Sequence, residues 1–277
     1  MKILIVFNKE KSESIGIADR VSEILTENGA EVLITEFSKE INSQKPYNNM
    51  LDNVNAVIVI GGDGTILRVA KAAAVHNCPI LGINAGRLGY LASVDSGNLD
   101  ILKRIISGDY SVETRMVLKA EKIVDGKVVD SCNCLNDAVI SKDSLSNVID
   151  ITLKIGNDTI NYRADGIIAA TPTGSTAYSL SAGGPVIDPE LQCLVLTPVC
   201  PHTLVARSVV LDAKHEVYIK VVSFDSSSFQ LSCDGRNAYE IDANTTVKIS
   251  NSELKAKFIK IDDVSVYKVF SEKTDNY

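Results

Sequence analysis

Short apolar runs alternate with a helical pattern over the first third of the chain, and the alternation stops near Tyr110. A chain patterned this way has to fold as two architectures in series. Lys2–Phe7, KILIVF, is rich in branched apolar residues, as a strand buried on both faces requires. Ile17, Val21, Ile24 and Leu25 follow at i, i+4, i+7 and i+8, one face of a helix, and Gly29 is placed to stop it. Glu31–Thr35, Ala56–Ile60 and Pro79–Asn84 read as further strands, and Thr65–Val75 as a second helix. Strands alternating with helices imply right-handed crossovers and a parallel sheet. Residues 1–110 are therefore expected to form an open α/β domain.

Beyond that point the period changes to that of strands. Met116–Ile123 and Lys127–Ser131 flank Asp125-Gly126, a hairpin signal. Val148–Ile155 and Ile160–Arg163 flank Gly156-Asn157-Asp158, and strand-like runs recur at Gly166–Thr171, Glu216–Val222, Phe229–Cys233 and Thr246–Ser250. One helical stretch is expected, near Thr176–Gly183. Residues 111–257 are expected as a mainly antiparallel β domain resembling a sandwich. Phe258–Phe270 is apolar enough to pack, and the last few residues read as a frayed tail.

At 277 residues the chain suits two domains, each large enough to bury a core without staples. The formal net charge of −7 repels polyphosphate backbones at long range, which argues against general nucleic-acid binding. No apolar run approaches a membrane span, and no signal peptide is seen, so a cytoplasmic location is expected. The six cysteines are accordingly read as reduced, in the core or on the surface. Cys132-x-Cys134 has no second Cys/His pair at zinc-like spacing, so no residue is assigned to hold a metal.

Four groups of residues carry chemistry. Gly61-Gly62-Asp63-Gly64-Thr65 follows a buried strand and precedes a helix. Its glycines let a ligand approach the main chain, and the helix start offers N–H groups to phosphate. Asp63 stands at the carboxyl end of a strand, where open α/β sheets bind ligands, and can take a proton from an attacking hydroxyl. The alternative is a tight turn whose Asp caps the helix. The segment from Thr171 to Pro185 is rich in hydroxyls and glycines, suits a polyol or phosphate, and offers Tyr178 for stacking; alternatively it is a solvated loop. Asn136-Asp137 can grip ribose hydroxyls by donating and accepting, or simply form a turn. Arg163 with Asp165-Gly166 is a fourth group, whose alternative is an exposed ion pair.

Together these groups resemble the NAD kinase family. The resemblance covers most of the chain in order: GGDGT at 61–65, LGINAGRLGYL at 81–91, ND at 136–137, RADG at 163–166, TPTGSTAYSLSAGGPVI at 171–187, TPVCPHTL at 197–204 and CDG at 233–235. GGDG also occurs in lipid kinases of the diacylglycerol and sphingosine type. The segment at 171–187 and TPVCPHTL are much more specific.

The resemblance implies an α/β N-terminal domain and a β-sandwich-like C-terminal domain, with the dinucleotide bound between them. It also implies that the final segment, about 258–277, packs back on the first domain. The implied activity is transfer of a phosphoryl group from ATP, with Mg²⁺, or from polyphosphate to the adenosine 2′-hydroxyl of NAD, giving NADP. Asp63 would be the base. Gly61, Gly62, Gly64 and Thr65 would line the phosphate region, with Arg68 one turn on. Asn136, Asp137, Arg163, Asp165 and Thr173 would bind the dinucleotide, as would Thr176, Ala177, Tyr178, Ser179, Leu180 and Ser181. The family commonly forms homodimers or homotetramers. Three positions depart from its pattern: Asp137 stands where Glu is usual, Arg236 where many relatives have Gln, and Arg207-Ser208 where many have Arg-Pro. A lipid kinase would share Gly-Gly-Asp-Gly-Thr but not the segment at 171–187, and no amphipathic docking helix is seen. A dinucleotide sensor without catalysis would have lost the base, and Asp63 is present.

Overall fold

The structure is a computed structural model and describes residues 1–37, 49–86, 89–142, 148–203, 205–222, 229–261, 267 and 269–271. Arg87 and Leu88 of the LGINAGRLGYL run, Leu204 of TPVCPHTL and parts of Phe258–Phe270 lie outside the described residues. The chain divides into two compact units, Met1–Arg115 with Leu254–Tyr277, and Met116–Glu253.

The first unit is α/β. Its elements are β1 (Lys2–Phe7), α1 (Ser12–Glu27), β2 (Glu31–Glu36), β3 (Ala56–Gly61), α2 (Asp63–Val75), β4 (Ile80–Asn84), β5 (Val94–Asp95) and α3 (Lys103–Ser107). The strands pair in parallel in the order β2-β1-β3-β4, with β5 added on β4. Ile3, Leu4, Ile5 and Val6 are all buried, as is the whole of β3, because this sheet is covered on both faces. α1 buries Ala18, Val21, Ile24 and Leu25 along one stripe. Each such fully buried Leu, Ile or Val contributes roughly 1.5–3 kcal/mol. Gly29 (φ +88°) follows the last turn of α1, and the Ala30 N–H bonds back to the Leu25 carbonyl, so the helix stops where the sequence indicates.

The second unit is antiparallel. It takes in most of β6 (Ser111–Val124), then β7 (Lys127–Cys134), β8 (Asp137–Lys142), β9 (Ile149–Ile155), β10 (Asp158–Ala164) and β11 (Gly166–Ala170). After a 3-10 turn at Thr173–Thr176 and the one-turn helix α4 (Tyr178–Ser181) come β12 (Cys193–Val199), β13 (Val209–Asp212), β14 (Val217–Val222), β15 (Phe229–Cys233), β16 (Arg236–Ile241) and the part of β17 (Thr246–Lys260) before Leu254. One layer runs β10-β9-β14-β17, with β6 on β17 and β7 on β6; the other runs β13-β12-β11-β8-β15-β16. Side chains from both layers meet in one core that includes Leu118, Ile140, Leu153, Ile167, Leu196, Ile219, Phe229 and Ile249. That is the packing of a β-sandwich. Asp125 (φ +50°) and Gly126 (φ +74°) make the β6–β7 hairpin turn in the left-handed conformation that an Asp-Gly turn needs.

Three expectations need correction. The strand foreseen at Thr246–Ser250 continues to Lys260, because it goes on from its pairing with β14 at Thr246–Ile249 to pair with β4 at Phe258. The helix foreseen near Thr176–Gly183 is broken at Ala177 into the 3-10 turn and α4. The cysteines are not all reduced: Cys132 on β7 and Cys233 on β15 are joined in a disulfide. Both side chains face the shared core, where the two strands bring them together. Among the described residues no helix is long and apolar enough to cross a membrane.

Candidate active site

In the first unit the strand order reverses between β1 and β3, with β2 to one side and β4 to the other. Ligands of open α/β sheets bind outside the carboxyl ends of strands at such a point. The two loops there are Asn8–Lys11 and Gly61–Asp63. The helix α2 begins at Asp63, two residues earlier than the composition of Thr65–Val75 indicates, with Gly62 at the cap position. The first backbone bonds of α2 run from the Thr65 and Ile66 N–H groups to the Gly62 carbonyl. The N–H groups of Asp63 and Gly64 precede them and are the donors a helix start offers to an anion. A Cβ on Gly61 would stand 2.8 Å from the Thr65 Cβ, so the turn closes only around bare backbone.

The Asp63 carboxylate does not cap α2. Its Oδ2 accepts the Tyr90 N–H at 2.9 Å and its Oδ1 the Leu91 N–H at 3.2 Å. Two backbone donors thus fix the orientation of a half-buried acid while leaving other lone pairs to accept from a hydroxyl. Gly89 makes the approach possible, since a Cβ there would collide with that carboxylate. Burial, and then the charge of Asp63, push the Tyr90 hydroxyl above its ordinary value. The Asn8 side-chain amide donates to the Thr65 hydroxyl at 3.2 Å, and Lys11 Nζ donates to the Ala85 carbonyl at 3.0 Å. A Cβ on Gly62 would lie 3.1 Å from Lys11 Nζ, which sets this ammonium beside the glycine loop. Asn8 and Lys11 were not singled out from sequence; their signal was position, at the end of the neighbouring strand. Arg68 stacks its guanidinium 5.3 Å from the Phe37 ring centroid.

In the second unit Asn136 closes the connection between β7 and β8, and Asp137 opens β8 as a buried residue. Asp234 holds this corner. Its carboxylate accepts the N–H groups of Leu135 at 3.1 Å, Asn136 at 2.8 Å and Asp137 at 3.1 Å, and its own N–H bonds to the Asp137 carbonyl. Asp234 (φ +51°) and Gly235 (φ +68°) form the two-residue turn between β15 and β16, and this conformation aims the carboxylate. The Asp-Gly pair was visible in sequence, but its anchoring role was not.

The 3-10 turn joins the same corner. Thr171 Oγ1 donates to the Leu135 carbonyl at 2.5 Å, and the Thr171 N–H bonds to the Asn136 carbonyl. Gly174 is obligatory because a Cβ would collide with that carbonyl. Thr173 is buried beside it. The hydroxyls of the run divide into two sets. Ser175 and Ser179 are fully buried and bonded, Ser175 to the Pro172 carbonyl and Ser179 to Thr197 Oγ1 at 2.9 Å. Tyr178 and Ser181 are exposed, while Thr176, Ala177 and Leu180 are half-buried. Arg163 and Asp165 do not pair with each other. Exposed Arg163 lies 3.7 Å from Asp150, and Asp165 pairs with Lys142 at 2.8 Å.

The donor sets bear on metal chemistry. Among the described residues, the group of three or more metal-ligating side chains that converges is Cys132, Cys134 and Cys233, whose sulfurs do not suit magnesium. Magnesium keeps several waters and binds through one or two carboxylates plus substrate phosphates. Asp63, beside the glycine amides, fits an ion that arrives with a nucleotide.

Models of two domains match the chain, the ATP-NAD kinase N-terminal domain over residues 3–110 and the ATP-NAD kinase C-terminal domain over 135–261. An NAD kinase of Symbiobacterium thermophilum is 36% identical over 278 residues, covering 98% of each chain. One of Carboxydothermus hydrogenoformans is 42% identical over 224 residues, covering 80% of each. Among solved structures, an NAD kinase from Archaeoglobus fulgidus in complex with ATP is similar over 100% of both chains, with a TM-score of 0.79 and 26% identity. A yeast NADH kinase complexed with NADH, at 22% identity and a TM-score of 0.83 over 99% of this chain and 88% of its own, is alike in fold. With both domains matched and relatives this similar over nearly their whole length, the chain belongs to the NAD kinase family.

Proposed function

We propose that the chain transfers the γ-phosphoryl group of ATP to the 2′-hydroxyl of the adenosine ribose of NAD, giving NADP. The observation that carries this assignment is the Asp63 carboxylate, fixed by two backbone N–H groups at the start of a glycine-lined helix. The 2′-hydroxyl attacks phosphorus through its oxygen and must lose its proton, and Asp63 is the group to accept it. The amides of Asp63 and Gly64, together with the Lys11 ammonium, stabilise the phosphate oxygens as charge spreads over them. Magnesium, carried in on ATP, supplies neutralisation of the phosphate charge.

Asn136 and Asp137 are assigned to the dinucleotide, with Asp137 serving where the family usually has Glu. Arg163, Asp165, Thr173 and the run Thr176–Ser181 are assigned to the same ligand. Because the Ser175 and Ser179 hydroxyls are engaged inside the protein, the contacts of that run are given to Thr176, to Tyr178 and to backbone groups. Arg68 remains assigned to the first unit's substrate contacts. A cytoplasmic location and a homodimer or homotetramer complete the proposal, as the resemblance implies.

The test is NADP formation from NAD, ATP and Mg²⁺ by the purified chain, with polyphosphate in a parallel reaction. Asp63→Asn is expected to keep the fold and lower kcat by roughly 10²–10⁴, the usual worth of a general base. Near-normal turnover by a folded Asp63→Asn would remove Asp63 from the role.

A further inference from the structure

Cys132 and Cys134 lie two apart on β7, so their side chains leave the same face of the strand. Cys233 ends β15, which pairs with β8 so that Cys233 faces Ala138. All three are buried in one core, and their sulfurs lie within 4.8 Å of one another. Cys132 and Cys233 are bonded, and Cys134 is a third thiol beside them.

The position of this cluster gives it meaning. Cys134 is one residue from Leu135 and two from Asn136. Cys233 is followed directly by Asp234, whose carboxylate takes the N–H groups of Leu135, Asn136 and Asp137. The disulfide therefore ties the strand that enters the corner to the strand that carries its anchor. A staple alone needs two cysteines. A third thiol within reach of the bond can exchange with it, passing the partner of Cys233 from Cys132 to Cys134 without changing the number of bonds, while an external dithiol is needed to return the pair to thiols.

We propose that the Cys132–Cys233 bond is a reversible modification site that sets the affinity of the Asn136–Asp137 corner for the dinucleotide. This rests on the assignment of that corner to NAD. The co-reactant is a low-molecular-weight disulfide. The thiolate of Cys132, which at 8% is the most exposed of the three, attacks one of its sulfurs, forming a mixed disulfide and releasing one small thiolate. The thiolate of Cys233 then attacks the Cys132 sulfur, closing the protein bond and releasing the second small thiolate. The two protein thiol protons end on the released thiols, and two electrons pass to the small disulfide. A dithiol reverses both steps.

The experiment compares the full chain equilibrated with excess oxidised glutathione against the same chain in excess dithiol. Thiols are counted after denaturation, and the bonded pair is located by peptide mass. NAD binding is measured by calorimetry without ATP, and KM and kcat are measured in parallel. The reduced chain should show six thiols; the oxidised chain should lose those of Cys132 and Cys233 to the protein bond, and peptide mass distinguishes this from a glutathione adduct on exposed Cys200. The oxidised form should bind NAD roughly fivefold more tightly, the lower end of ordinary coupling between sites, with the change in KM rather than kcat. Cys233→Ser should abolish the difference, and so should Cys132→Ser combined with Cys134→Ser, since Cys134 also lies within reach of Cys233. Six thiols under oxidant would overturn the proposal, as would a bond that leaves the NAD affinity unchanged. So would a reduced chain that carries a stoichiometric thiophilic cation such as zinc on the three sulfurs. NAD binding in neither state would bring down the kinase assignment together with this one; equal binding in both states would bring down this one alone.

Discussion

Asp63 shows how a single side chain acquires a role from backbone elsewhere. Its two accepted hydrogen bonds come from Tyr90 and Leu91, residues 27 and 28 positions later, and they reach it because Gly89 has no side chain. Adding one methyl group at Gly89 tests whether that orientation matters. Gly89→Ala must displace the carboxylate or the loop, and displacement of a reacting group by about 1 Å can cost on the order of 10² in rate. The variant is expected to lose kcat by about that factor while its NAD affinity changes little, since the residues proposed to bind the dinucleotide lie in the other unit. Steady-state kinetics beside NAD calorimetry check this. Normal kcat in Gly89→Ala would mean that the two amide bonds do not position the base.

At the scale of elements, the β15–β16 turn and the β7–β8 corner are one device. The Asp-Gly pair at 234–235 adopts the left-handed turn such a pair favours, and so puts a carboxylate over three consecutive N–H groups. Asp234→Ala leaves those donors without their acceptor, a cost of about 1–3 kcal/mol for each that stays buried. The expected result is a KM for NAD raised by tenfold or more, with a smaller change in kcat. A KM that stays put in a folded variant would show that the corner keeps its shape without Asp234. The same elements show what sequence can and cannot reveal. Local signals were legible: the branched runs of β1 and β3, the stripe of α1, and the Asp-Gly hairpin at 125–126. Asn136-Asp137 could be picked out as a pair, but its support by Asp234 depends on a strand pairing nearly a hundred residues away. The extension of β17 past Ser250 and the bonding of Cys132 to Cys233 were hidden for the same reason, because pairing partners decide them. Ser175 and Ser179 stood in a hydroxyl-rich run like their neighbours, and only burial separates them from Thr176 and Tyr178.

Over the whole molecule, the first unit is assembled from two stretches of chain, Met1–Arg115 and Leu254–Tyr277, with the second unit threaded between them. Bringing such distant segments together carries a loop-closure cost that contacts within the unit must offset. Phe258 on β17 pairs with Ile80 on β4, and Arg115 stacks 4.7 Å from the Phe258 ring centroid. Glu113, nearly inaccessible, accepts a hydrogen bond from Arg115 and forms an ion pair with Lys260, each at 2.6 Å, and so ties the first stretch to the second. Burial pushes the Glu113 carboxyl up, but the charges and hydrogen bonds of Arg115 and Lys260 outweigh it and hold the group below its ordinary 4.5. A carboxyl depressed in the folded state stabilises the fold above its unfolded value, and that contribution is lost as pH falls through the folded one. The native chain should therefore lose thermal stability as pH drops below 4.5, over the interval in which Glu113 takes up its proton. Glu113→Gln removes the charge and leaves two cations facing a neutral amide, so at neutral pH it should be about 3 kcal/mol less stable. Its acid profile should also be flatter, because the titrating group is gone. Melting curves of both proteins from neutral down to about pH 3 decide the matter. Equal stability at neutral pH would show that the two stretches are held by apolar packing around Phe258 and Ile259 and not by this buried ion network.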